Sequence, residues 1–126
     1  MKLTIYGGNR ETFIEDNAES KDNLVIWHFE DHPQIEVDKF QRFIFDAEKS
    51  GDSELKIWTS VELLIDKVRV MVKHGAIAKE DVRVVWYDYY GKLKHELGID
   101  KKGYVSSNRG DYGDSYANVY LELIVD

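Results

Sequence analysis

No cysteine occurs among the 126 residues, which excludes disulfides, a thiolate nucleophile and cysteine-ligated zinc. Pro33 is the only proline, so almost every stretch is free to enter a helix or a strand. No apolar run approaches the roughly 20 residues that span a bilayer, and no membrane association is expected. The start, Met1-Lys-Leu-Thr-Ile-Tyr6, lacks the basic and then apolar pattern of a secretory signal, so a cytoplasmic protein is expected. Basic residues are also scarce: 17 Lys and Arg stand against 24 Asp and Glu, a net charge of −7. The acids concentrate toward the two ends. A broad nucleic-acid-binding face needs a basic footprint, so direct nucleic-acid binding is not expected. The complementary partner is a protein with a basic surface.

What is present is globular in composition, with 43% hydrophobic and 33% charged residues. The length suits one domain over residues 1–126. Leu3 to Tyr6 alternates and stops at Gly7-Gly8, a short strand and a turn. Residues 9–22 are polar apart from Phe13 and Ile14 and read as a loop with at most one helical turn. The apolar run Leu24-Val-Ile-Trp-His-Phe29 suits a central strand buried on both faces. Pro33 fits the first turn of a helix whose inner face holds Val37, Phe40, Ile44 and Ala47. Leu55 to Trp58 is the next strand. Thr59, three residues before Glu62, has the spacing of a capping box. Val61, Leu64, Ile65, Val68, Met71 and Val72 then form one apolar stripe, ended by Gly75. Val82 to Tyr87 reads as a strand, Asp88 to Gly91 as a turn, and Lys92 to Ile99 as its hairpin return. Residues 106–115 read as an exposed loop, and Tyr116 to Val125 alternates like a half-buried closing strand. The fold class is therefore α/β: one domain, a mixed sheet of about five to six strands, two main helices in crossover connections, and a C-terminal hairpin plus closing strand.

Three groups of residues could carry chemistry or binding. His28, Glu30 and His32 would point the same way on an extended strand and could hold a divalent metal for hydrolysis; a solvated strand end is the simpler reading. Ser107, Asn108, Arg109 and Tyr112 lie in a glycine-rich loop that could grip a phosphate, with tyrosine stacking on a base, as in a binder of a nucleotide signal. Trp86, Tyr89, Tyr90 and Tyr104 belong to an aromatic-rich half of the chain, and exposed tyrosines are common interface anchors. No cofactor is expected, and a homo-oligomer is left open.

Ile57-Trp-Thr-Ser-Val-Glu-Leu-Leu-Ile-Asp-Lys-Val-Arg69 resembles the segment after the Walker B strand in RecF-like and overcoming-lysogenisation-defect-like ABC-class ATPases. Thr59, Glu62, Leu64, Ile65, Lys67, Val68 and Arg69 fall in register with that pattern. Val72-Lys-His-Gly-Ala-Ile77, Glu80-Asp-Val82 and Ile99-Asp-Lys-Lys-Gly-Tyr-Val105 extend the likeness, and His32-Pro33 is similar to the His-Pro after Walker B. It covers about residues 24–105. The family's switch histidine would fall on Ser60, and its metal-binding and catalytic carboxylates on Val25 and Ile26. No Gly-x-x-x-x-Gly-Lys-Ser/Thr loop occurs. The resemblance thus implies an inactivated relative or a mimic, without ATP chemistry. The leading expectation is a non-enzymatic macromolecule-binding protein, such as a phage or mobile-element product that interferes with a host ATPase or defence complex.

Overall fold

The computed structural model describes residues 1–18, 24–106 and 108–114. Its elements run β1 (Lys2–Gly8), α1 (Arg10–Asp16), β2 (Leu24–Trp27), α2 (Pro33–Lys49), β3 (Glu54–Thr59), α3 (Glu62–Lys73), a 3₁₀ turn (Lys79–Asp81), β4 (Val82–Tyr87) and β5 (Lys94–Leu97). The strands form one mixed sheet in the order β2-β3-β1-β4-β5. The first four are parallel, and β5 returns antiparallel to β4. This is the α/β architecture the sequence predicts; the expected closing strand over 116–125 lies outside the described residues.

The topology explains the two layers. The β1-to-β2 crossover runs one way across the sheet, whereas β2-to-β3 and β3-to-β4 run the other way. Right-handed crossovers then place α1 on one face and α2 and α3 on the opposite face. The burial pattern agrees. Phe40 and Ile44 of α2 and Leu64, Ile65 and Val68 of α3 pack on Leu3, Ile5, Ile57, Val84 and Trp86. Phe13 of α1 packs on Tyr6, Trp58, Val85 and Tyr87.

Three local expectations are corrected. Residues 10–16 form a seven-residue helix, because Asn9 accepts from the Thr12 N–H at 3.2 Å and Phe13 finds an aromatic pocket. Thr59 does not cap α3: Val61 occupies the cap position, and Thr59 Oγ1 instead accepts from the Val61 N–H at 3.1 Å. Among the described residues, β2 is an edge strand rather than a central one. Its Trp27 donates to the buried Glu36 of α2 at 3.0 Å, which ties the edge to the helix. The α2 start is as expected, with Pro33 in the first turn and His32 Nδ1 accepting from the Gln34 N–H.

Candidate functional site

The parallel strands all end at one side of the molecule, the usual position for function in such sheets. There β4 leaves the core at Asp88 and turns back over Tyr89-Tyr90-Gly91-Lys92 to Leu93, closed by Asp88 N–H donating to Leu93 O at 2.9 Å. Gly91 has φ 84° and Lys92 φ 55°, so the tip is tightly wound. A lysine in the left-handed region is uncommon and persists only where its surroundings hold it.

Asp111 supplies that hold. One carboxylate oxygen accepts from Trp86 Nε1 at 2.6 Å. The other accepts from the Tyr89 N–H at 2.8 Å and the Tyr90 N–H at 3.3 Å. The Asp111 N–H in turn donates to Asp88 Oδ1 at 2.9 Å, and Asp88 Oδ2 pairs with His95 Nε2 at 2.8 Å. Burial raises the Asp88 carboxyl, but the Asp111 N–H and His95 outweigh it and hold the group below the usual carboxylate range. Gly110, at φ 58°, lies so close that a side chain there would overlap the Asp88 carboxylate and the His95 ring.

Residues 98–106 and 108–114 thus form a strap rather than the free loop expected over 106–115, of which 107 and 115 lie outside the described residues. Its second anchor is α3. Tyr112 is buried, with its ring edge-on to Trp86 at 5.2 Å and its hydroxyl donating to Asp66. Burial, then that bond, pushes the Tyr112 hydroxyl far above its ordinary value. Arg69 pairs with Asp66 at 2.9 Å and donates through Nε to Gly103 O at 2.8 Å. Glu62, at the start of α3, accepts weakly from the Gly113 N–H at 3.4 Å. Burial and the nearby Asp66, Asp111 and Asp114 raise its carboxyl.

The turn itself faces outward. Tyr90 is 87% exposed, Leu93 61% and Tyr89 42%, with the Tyr89 ring resting edge-on against Trp86 at 5.6 Å. Of the predicted aromatic group, Tyr89 and Tyr90 share this turn, and Tyr104 is exposed on the strap. Trp86 is buried and supports the turn from beneath, so it is not a surface contact. The predicted anion-binding group does not assemble as expected. Asn108 and Arg109 are exposed, and Arg109 stands 3.9 Å from Asp114, while Tyr112 turns into the core. Ser107 lies outside the described residues. The predicted metal trio does not assemble either. His28 and Glu30 are exposed, and His32 is spent on capping α2. Among the described residues, no group of three acidic, histidine or cysteine side chains is disposed to hold a metal. Asp88, His95 and Asp111 were not legible as a unit, because Asp88 and Asp111 are 23 residues apart and no local pattern links them.

Elsewhere, a hollow of about 720 Å³ opens at the opposite end of the sheet, lined by Lys2, Asp81, Arg83 and Glu96 among others. Its charges are mutually paired, Lys2 with Asp81 at 2.9 Å and Arg83 with Glu96 at 2.7 Å, which leaves little field for a charged ligand. No helix among the described residues is long and apolar enough to cross a membrane. The positions where the ATPase resemblance would place carboxylates, Val25 and Ile26, sit in β2 beside Ile57 and Trp58 of β3. No family model matches this chain, no curated protein matches it, and no solved structure matches its fold.

Proposed function

We propose that the chain is a non-enzymatic protein-binding module that docks a basic partner through the β4–β5 turn. The observation that carries this reading is the pinning of both turn amides, Tyr89 N–H and Tyr90 N–H, by one carboxylate beneath an exposed Tyr90. A soluble monomer gains nothing by displaying a tyrosine at 87% exposure on a wound, held turn. An interface gains from it, because an aromatic anchor fixed in advance loses little conformational entropy on binding. Behind the turn lie Glu62, Asp66, Asp88, Asp111 and Asp114, and the whole chain carries −7, which suits a basic surface opposite. The resemblance over residues 24–105 supports a host ATPase or defence complex as the class of target.

The test is affinity capture from host lysate with wild type and with Tyr90→Ala/Leu93→Ala. Both side chains are exposed, so the variant keeps its circular dichroism and urea midpoint. Loss of a partner that wild type captures, and that high salt also releases, supports the docking turn. Retention of every partner by the variant, with loss on Arg109→Ala instead, contradicts it and favours anion binding by the strap.

A further inference from the structure

Tyr104 is 63% exposed and lies beyond the far end of β5 from the docking turn. It closes a second turn, over residues 100–104, that is wound and held. Ile99 bridges Val105, and the Asp100 N–H donates to Tyr104 O at 3.0 Å. Asp100 Oδ1 accepts from the Lys102 N–H at 2.8 Å and the Tyr104 N–H at 3.0 Å. Gly103, at φ 82°, lies so close to α3 that a side chain there would come within 2.8 Å of Arg69 O and 3.4 Å of Lys73 Cβ. Beside this turn opens a small hollow of about 280 Å³, lined by Tyr104, Asp100, Ser106, Lys79 and Ile99 among others. Lys79 and Ile99 also line the larger hollow, so Lys79 stands where the two meet.

The groups around the small hollow do not resemble an apolar protein contact. Tyr104 has the exposed Lys101 and Lys102 in its own turn and Lys73 behind Gly103. Whereas Lys2 and Arg83 are spent on Asp81 and Glu96, Lys79 pairs with no acid among the described residues. Ser106 Oγ accepts from the Gly98 N–H at 3.2 Å, and a hydroxyl that accepts still has a hydrogen to donate. Among the described residues both donors to the Asp100 carboxylate meet one oxygen, so the other retains its acceptor capacity.

We propose that this hollow binds a nucleoside phosphate, its base stacked on Tyr104, its ribose hydroxyls donating to Asp100, and its phosphate held by Lys79 and Ser106. A flat ring, a diol and a phosphate each find a complement there, and no single simpler ligand uses all three. The volume sits at the small end of ligand pockets, roughly 300–1,000 Å³, which suits one nucleotide. Lys73, Lys101 and Lys102 supply local positive charge in a chain of net −7. Stacking tolerates any base, so the nucleotide is either free or one residue of a single strand. The site is separate from the docking turn and does not depend on it.

Amide NMR titrations of the isotope-labelled chain with adenosine monophosphate, adenosine and ribose 5-phosphate test this. Adenosine monophosphate should shift the amides of residues 98–106 and saturate in the millimolar range or below. Tyr104→Ala should weaken it by about fivefold or more, the loss of one stacked base. Lys79→Ala should weaken adenosine monophosphate and ribose 5-phosphate and leave adenosine unchanged. Both side chains are exposed, so each variant keeps the remaining amide spectrum. Tyr90→Ala/Leu93→Ala should leave the titration as it is. An adenosine pentanucleotide that binds about tenfold more tightly, through its added phosphates, assigns the site to single strands, and equal affinity assigns it to free nucleotide; both uphold it. Unmoved 98–106 amides at millimolar adenosine monophosphate, a titration indifferent to Tyr104→Ala, or shifts confined to the neighbourhood of Arg109 each overturn the proposal.

Discussion

Asp111→Ala removes the acceptor on which the turn and the strap both depend. Trp86 is 1% exposed, so its indole N–H loses its carboxylate and cannot turn to bulk water. An unsatisfied buried donor of that kind costs about 1–3 kcal/mol. The Tyr89 and Tyr90 amides are at the surface, where water replaces the carboxylate, and together they add roughly 1 kcal/mol. The sum is about 2–4 kcal/mol. With a urea slope of roughly 2 kcal/mol per molar, the unfolding midpoint falls by about 1–2 M. The assay is urea denaturation followed by tryptophan fluorescence and far-ultraviolet circular dichroism. Trp86→Phe supplies the control. It deletes the donor, so Asp111→Ala costs about 1–2 kcal/mol less in that background, a coupling that a double-mutant cycle reads directly. If Asp111→Ala unfolds within about 0.5 kcal/mol of wild type, a level typical of surface substitutions, the carboxylate does not organise the turn.

Gly110→Ala strains a backbone held at φ 58° and pushes Cβ into Asp88 and His95, so thermal melting should show a loss of about 2 kcal/mol or more. Val68→Ala truncates a fully buried side chain on α3 and should cost roughly 1–4 kcal/mol in urea melts, whereas the exposed Val70→Ala should cost under about 1 kcal/mol. Glu62 has a carboxyl raised above its ordinary 4.5, chiefly by burial. Its contribution to stability is complete below that value and is lost as pH rises through the folded pKa. Glu62→Gln should therefore raise the melting temperature at pH 7 and leave it nearly unchanged at pH 4; equal shifts at both pH values contradict the assignment.

Much of the sheet and helix framework was readable because its signals are local. The stripe Leu64, Ile65, Val68, Met71 and Val72 is buried as its helical spacing predicts, and Pro33 lies in the first turn of α2. Strand position was not readable. Whether β2 lies inside the sheet or at its edge depends on crossover order, and four apolar residues carry no mark of it. α1 was missed because a helix of two turns buries only Phe13 and so shows no repeat. The candidate site was half legible. Tyr89 and Tyr90 announced themselves beside a glycine turn, but the carboxylate that holds them comes from 21 or more residues away. Trp86 was read as an interface aromatic and Tyr112 as part of an anion-binding loop, and burial against each other places both in the core.

The docking turn is tested most directly by photocrosslinking from the turn itself. A benzophenone amino acid replaces Tyr90 in one sample and the exposed Lys49 at the end of α2 in another, and each is irradiated in host lysate. A discrete adduct from position 90, absent from position 49 and suppressed by high salt, is the predicted result. An adduct from position 49 with none from position 90 would contradict the account.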